Sequence, residues 1–326
     1  MKKIHFAAYI TICVLSGCGG GGGGGSASTS TSYQSVASQG ELISYAVDTS
    51  ALTYSYTITE SAYGKTGTTG TGTLTHNADG TYTPSGFNGK IVVQDSGLLL
   101  GAIYEDLTGG GRKVIPVIGM SNPITSLTDA ADTYNFVSRQ CGALTCNNYY
   151  GTFKLNSDGT WTSCVGDNIA ATNHTCTSTV SGDSGSFSSG RATIRVGGVT
   201  GGSLLIFKDP TTNQKAILLD FNGATTLGKG ALYAGSQTLP SSADGNWFYT
   251  NTSGEHGLVV VTGTNYTDAG VTASNVSYSS TGSFTKNVPW NGFVTTNNGD
   301  KVLTASSGIY ASYWNSGNGI SVGVKK

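Results

Sequence analysis

Four cysteines in the middle of the chain have the residue type needed either for a metal site or for disulfide bonds. They are Cys141, Cys146, Cys164 and Cys176, spaced C-x4-C and then C-x11-C. With His174 they could form a zinc site, but this spacing fits common zinc patterns poorly. Of the three possible disulfide pairings, we favour the one in which each bond closes a polar loop: Cys141–Cys146 and Cys164–Cys176. Each disulfide that closes such a loop stabilises a fold by roughly 2–3 kcal/mol. Because we favour disulfides over a zinc site, we predict no metal ion.

A serine motif and scattered histidines are the remaining candidates for catalysis. The segment SGDSGS at 181–186 resembles the G-D-S-G signature around the nucleophile of chymotrypsin-like proteases, but Ser186 replaces the glycine that should come next. The triad also needs a histidine base and a buried aspartate. Upstream of Ser184, His76 lies in a hairpin and His174 in the cysteine loop. Carboxylates are also sparse, with 18 in 326 residues, so we predict neither an enzyme nor a cofactor.

The N-terminus carries a signal for export and lipid attachment. Two lysines follow Met1, and Ile4 to Leu15 form a mostly apolar segment, as in a secretory signal peptide. Roughly 12 apolar residues are too few to span a bilayer core of about 30 Å. The ending Leu15-Ser16-Gly17-Cys18 resembles the lipobox of bacterial lipoproteins. That resemblance implies removal of residues 1–17 and attachment of lipid, including palmitate, to Cys18. The alternative is an ordinary signal peptide followed by a spare cysteine.

The residues after Cys18 have the composition of a flexible tether. Seven glycines are followed by a Ser/Thr-rich stretch, so we expect residues 18–40 to be disordered. An aspartate after the lipidated cysteine commonly retains lipoproteins in the inner membrane, and here Gly19 stands instead, which implies the outer membrane. The poly-glycine run resembles that of surface-displayed Gram-negative lipoproteins. The implied location is the cell surface, with the periplasmic face as the alternative.

The elements that must position any site are β-strands. Charged residues make up 11% of the chain, below the roughly 25% usual in globular proteins. Short runs of Val, Ile, Thr, Tyr and Phe alternate with polar residues and end at Gly, Asn or Asp, which is typical of strands. We therefore predict an all-β fold of tandem small antiparallel β-barrel or β-sandwich modules. A propeller or a transmembrane barrel is a weaker alternative.

A weak internal repeat divides the predicted β region into three modules, at 41–125, 132–240 and 243–326. The sequence leaves open that the last two modules pack as one unit. Two hairpins, 74–83 and 154–162, share the pattern N-x-D-G-T-aromatic-T. A three-residue loop with glycine in the left-handed conformation pairs Leu155 with Trp161 and puts Leu74 and Tyr82 on one face. We predict this loop in both hairpins.

Six aromatic residues are candidates for a binding surface, because aromatic side chains beside small polar residues suit protein or sugar recognition. They are Tyr149, Tyr150, Trp290, Tyr310, Tyr313 and Trp314. Tyr149 and Tyr150 are neighbours in a strand, so one must face in and one out. Core packing is the alternative for all six.

These observations predict a lipid-anchored binding protein that captures an extracellular protein, a glycan or a small hydrophobic ligand. Its plan is similar to that of tethered surface lipoproteins whose β-barrel lobes capture host iron carriers, although none of their motifs occurs here. The alternative is a structural spacer or assembly component of the envelope, and a secreted hydrolase is least favoured. A net charge of −1 gives no electrostatic reason to expect nucleic acid as a partner.

Overall fold

The computed structural model describes residues 30–142, 145–237, 243–305, 307–315 and 319–326. This part of the chain contains 24 strands and one short helix, α1 (Leu127–Ala130). The strands form three eight-stranded antiparallel sheets in chain order; two are closed barrels and the first is nearly closed. The predicted fold class, tandem small antiparallel β-barrels, is confirmed.

The first sheet is a barrel with one gap. Its strands are β1 (Ser30–Ala37), β2 (Glu41–Asp48), β3 (Thr53–Ser61), β4 (Thr69–His76), β5 (Tyr82–Pro84), β6 (Val92–Val93), β7 (Leu98–Glu105) and β8 (Lys113–Met120). They follow the order β5-β4-β3-β2-β1-β8-β7-β6. An isolated bridge between Tyr82 and Ile91 connects the two edges.

The prediction of a disordered tether over residues 18–40 was wrong for the residues of strand β1. Ser30–Ala37 lies within the stretch expected to be disordered, yet it pairs with β2 along one edge and with β8 along the other. Tyr33 and Ala37 face the barrel interior and Val36 faces outward, all three buried. The strand forms because its neighbours supply both its hydrogen bonds and its burial. The other part of the predicted tether, 18–29, lies outside the described residues, as does Cys18.

The second sheet is a closed barrel in which each strand pairs with the next and the last pairs with the first. Its strands are β9 (Asp132–Cys141), β10 (Cys146–Leu155), β11 (Thr160–Val165), β12 (Ser178–Ser184), β13 (Arg191–Val196), β14 (Val199–Lys208), β15 (Lys215–Asn222) and β16 (Lys229–Ser236). Both predicted disulfides are present in this barrel: Cys141–Cys146 and Cys164–Cys176.

The third sheet is closed in the same way. Its strands are β17 (Gly245–Asn251), β18 (His256–Thr262), β19 (Asn265–Val271), β20 (Ser277–Lys286), β21 (Phe293–Thr296), β22 (Lys301–Thr304), β23 (Ile309–Tyr313) and β24 (Ile320–Lys325).

Both predicted hairpin loops are confirmed. In β10–β11 Leu155 pairs with Trp161, and Gly159 has a φ of +87°. In β4–β5 His76 pairs with Tyr82, which places Leu74 on the same face as Tyr82 because side chains alternate along a strand.

The largest apolar cluster of the described residues lies outside the barrels, where their outer faces meet. Each barrel also has its own interior cluster, so several strands are buried on both faces and read as unbroken apolar runs such as LLLGAI and LLIF. The members of this common core include Leu98, Ile118, Phe207, Leu218, Phe248 and Phe293.

Side-chain hydrogen bonds also cross each of the three interfaces between barrels. They run from Gln34 Nε2 to Ser189 O (2.6 Å), from Asn88 Nδ2 to Thr272 O (3.2 Å) and from Asn135 Nδ2 to Asn291 O (2.8 Å). Together with the common core, these contacts join the three barrels directly.

Candidate functional site

The structure distributes the six predicted aromatic residues over three places. Tyr149 lines the interior of the second barrel, while its neighbour Tyr150 points outward, as strand alternation requires. Tyr150, Trp290 and Tyr313 meet between the second and third barrels. The remaining two, Tyr310 and Trp314, line the interior of the third barrel. The six residues therefore do not form one surface.

The aromatic cluster between the second and third barrels fixes their contact. The rings of Tyr150 and Trp290 stack with centroids 6.0 Å apart, and Tyr313 lies 5.3 Å from Tyr150. The indole N–H of Trp290 donates to Asn135 Oδ1 at 2.7 Å. These three rings are half-buried against the common core, so their contacts are those of a packed interface.

The serine of the protease-like motif has a structural role. Ser184 Oγ is buried and donates to the carbonyl of Gly159 at 3.0 Å, which ties β12 to the β10–β11 hairpin. His76 packs against the ring of Tyr82, and His174 Nδ1 lies 2.9 Å from the carbonyl oxygen of Ala171. Each of these side chains has its contacts within its own turn or barrel.

The interior of the third barrel contains a cavity of about 240 Å³. Its wall carries both aromatic rings and carboxylates. Inward-facing strand positions supply most of these side chains, and two turns supply the others. The residues that define it are Trp247 and Tyr249 from β17, Glu255 from the β17–β18 turn, Tyr266 and Asp268 from β19, Tyr278 from β20, Asp300 from the β21–β22 turn, Tyr310 from β23, and Trp314.

Glycines at inward positions leave room for the tyrosine rings. Gly257 and Gly270 lie between Tyr249 and Tyr278 in the strand register. A Cβ at Gly270 would lie 2.7 Å from the Tyr278 hydroxyl, and one at Gly257 would lie 3.0 Å from the Tyr249 hydroxyl. Because the rings lie across glycine backbone from opposite sides, the two hydroxyls meet over the glycines. Each tyrosine ring thus lies over a neighbouring strand position that has no side chain. This arrangement orders the wall and leaves space inside the barrel.

The carboxylates are held by neutral donors. Tyr249 Oη donates to Asp268 Oδ1 at 2.8 Å and also contacts Tyr278 Oη. Asn251 Nδ2 donates to Glu255 Oε2 at 2.6 Å. The backbone N–H of Asn315 donates to Asp300 Oδ1 at 2.8 Å. Within the described residues, none of these carboxylates forms an ion pair.

The electrostatic character of the cavity is acidic. Three carboxylates line it, and no basic side chain does so among the described wall residues. Burial raises the pKa of Asp268; the hydrogen bond from Tyr249 opposes that rise and the charge of Glu255 adds to it. Burial beside Asp268 raises the pKa of Tyr249 well above its usual value. Lys325 is the nearby cation: its Nζ lies 5.5 Å from the centroid of the Trp247 ring.

Sequence reasoning named Tyr310 and Trp314 of this set but missed the others, because it treated carboxylates as sparse. The available signal was the strand NYTDAGV, in which Tyr266, Asp268 and Gly270 share one face. A carboxylate between an aromatic residue and a glycine at a spacing of two predicts a polar barrel interior.

The sequence matches no protein-family model, and comparison with curated proteins found no match. Within the described part of the chain, no group of three or more His, Cys, Asp or Glu side chains is arranged to hold a metal ion. None of the helices described is long and apolar enough to cross a bilayer.

Proposed function

We propose that this chain is an exported, lipid-anchored binding protein whose third barrel holds a small organic cation without transforming it. The observation that carries the proposal is the set of three carboxylates, without ion-pair partners among the described residues, on an aromatic cavity wall. A low-dielectric cavity lined by one sign of charge attracts ligands of the opposite sign.

The aromatic residues suit the same ligand. A cation over the face of Trp or Tyr within about 6 Å of the ring centroid is attracted by the ring quadrupole, and desolvation strengthens that attraction. Tyr310 and Trp314 lie on the same wall as Asp300 and Asp268. Because Lys325 already lies over Trp247, we assign the ligand to the remaining rings. An ammonium ion with an apolar body would use both rings and carboxylates.

The cellular setting remains the one that the N-terminus implies. Cleavage before Cys18 and lipidation of that residue would anchor the protein at the outer membrane, facing outward. Two disulfides in the second barrel suit an oxidising compartment. Intact-mass analysis of the N-terminus tests the anchor, since an unmodified Cys18 contradicts it, and protease shaving of intact cells tests surface exposure.

A matched pair of small molecules tests the ligand. The full chain carrying Cys18→Ala is titrated by calorimetry with choline and with the uncharged analogue in which carbon replaces the quaternary nitrogen. We expect saturable binding of choline and little of the analogue. Asp268→Asn should weaken choline binding about tenfold or more, because it removes a negative charge that attracts the quaternary ammonium, and two opposite charges about 4 Å apart near a protein surface attract by roughly 4 kcal/mol. Asp95→Asn makes the same charge change on the exposed surface of the first barrel and should leave binding unchanged.

Equal binding of the two molecules, or no effect of Asp268→Asn, contradicts the proposal. A second candidate, saccharide binding, is favoured by the hydroxyl and amide groups on the same wall, among them Asn298, Ser280 and Ser312. Titration with neutral oligosaccharides distinguishes it, and release of a reducing end would reveal hydrolysis. If no ligand of either class binds, the envelope-spacer alternative gains support.

A further inference from the structure

The second barrel contains a cavity of a different chemical character. Its volume is about 400 Å³, within the range of small-molecule sites. The wall is mainly apolar, and no charged side chain contributes to it among the described residues. Its large apolar side chains include Phe136, Phe153, Trp161, Phe221, Leu219 and Ile194.

Trp161 lies on this wall together with the polar side chains of Gln140, Tyr149, Ser163, Ser178 and Thr226. The side chain is 2% exposed, and its ring stacks on Phe153 with centroids 5.5 Å apart. Its indole N–H is buried without a hydrogen-bond partner in the described part of the chain. Protein atoms cover this nitrogen, so the indole presents its ring rather than its N–H to the cavity.

The end of the barrel around this cavity is held by disulfide bonds. Gln140 on the wall adjoins Cys141, and Ser163 and Val165 flank Cys164. Both disulfides therefore join loops or strands next to the wall. A wall that is rigid before binding loses less entropy when a ligand enters. Residues 143–144 of the β9–β10 loop lie outside the described part.

We infer that the second barrel binds an uncharged, mostly apolar small molecule in this cavity. A charged ligand is excluded because it would lose its hydration on entering the cavity and would find no oppositely charged partner on the wall. This site is separate from the acidic cavity of the third barrel, and it stands whether or not that cavity binds a cation.

Nile red is a suitable probe, since it is neutral and apolar and changes its emission with polarity. We titrate it into the full chain carrying Cys18→Ala and expect saturable binding with one site per chain and a blue-shifted emission.

A cavity-filling variant and its control locate the probe. Val180→Trp places an indole in the cavity wall and should abolish saturable binding. Val199→Trp makes the same change at a position of the same barrel that is 51% exposed, and should bind as the parent does; circular dichroism checks that both variants are folded. Absence of saturable binding, or retention of binding in folded Val180→Trp, overturns the site.

Discussion

Two buried carboxylates, Glu41 and Asp220, lie where the first barrel meets the second. Both are almost completely buried, at 0% and 1% exposed. Burial raises the pKa of Glu41 to about 8, opposed by a hydrogen bond from Ser61 and by the charge of Lys229. Burial raises the pKa of Asp220 to about 7, opposed by the backbone N–H of Ser203. Between its unfolded and its folded pKa, each carboxyl therefore holds a proton in the folded protein that it releases on unfolding.

This difference predicts a stability that falls as pH rises. A raised pKa means that the folded state binds more protons, so the free energy of unfolding declines through the window from about 4.5, the unfolded value for Glu41, to about 8. Urea unfolding at several pH values measures the slope. Glu41→Gln should flatten it, whereas the exposed Asp95→Asn should not, and an unchanged slope in Glu41→Gln contradicts the assignment.

Tyr249→Phe tests the hydrogen bond inside the third barrel. The Tyr249 hydroxyl stabilises ionised Asp268 and so lowers its pKa. Its removal should raise the pKa of Asp268, and the loss of choline affinity on acidification should then occur at higher pH than in the parent chain. The pH dependence of the dissociation constant measures this shift. Movement of the midpoint to lower pH would show that the hydrogen bond does not favour the ionised form.

For individual residues, the predictions from sequence were correct where the spacing between neighbouring residues decides the structure. Alternation predicted that Tyr149 and Tyr150 face opposite ways, and loop closure predicted the cysteine pairing that the structure contains. It could not bring Asp268 and Asp300 to one cavity, because they belong to different hairpins whose approach depends on barrel closure.

At the level of elements, β1 shows where local signals fail. Its sequence STSYQSVA contains four polar hydroxyl residues (three Ser and one Thr) and follows a glycine run, so it resembles the tether. Its strand structure comes from β2 and β8, and the β8 partner lies more than 80 residues later in the chain. The hairpins were predictable because Gly80 and Gly159 fix their turns locally.

A buried charge on β1 should therefore destabilise the fold. Val36 is 0% exposed in the common core, so Val36→Asp would bury an unpaired carboxylate at a cost of about 4 kcal/mol or more. Ser32→Asp introduces the same charge at an exposed position of the same strand and should cost little. Denaturant unfolding compares the two, and equal stability would mean that β1 contributes little to the barrel.

For the whole molecule, the decisive feature is that the outer faces of three barrels form the largest described apolar cluster. The sequence predicted the separate barrels from their strands, but it did not predict this arrangement. Apolar runs such as LLLGAI show that strands are buried on both faces, whereas they do not show which surface covers the second face.

Because the core is shared, the barrels should unfold together. Phe293 of the third barrel is 0% exposed and belongs to the common core, so Phe293→Ala should cost about 3–5 kcal/mol. Calorimetry should show one transition, shifted to lower temperature as a whole. Two separated transitions, with only one of them shifted, would indicate barrels that unfold independently.

The position of β1 also has a mechanical consequence. A lipid on Cys18 would transmit any pull from the membrane to the amino end of this strand, which pairs with β2 over residues 30–36 and with β8 over residues 34–37. A force along the strand axis loads the hydrogen bonds of these pairings in shear, all at once, rather than opening them one after another. We therefore expect the first barrel to withstand a higher force when it is pulled through residue 18 than when a hairpin is peeled from its edge, as single-molecule force spectroscopy can measure.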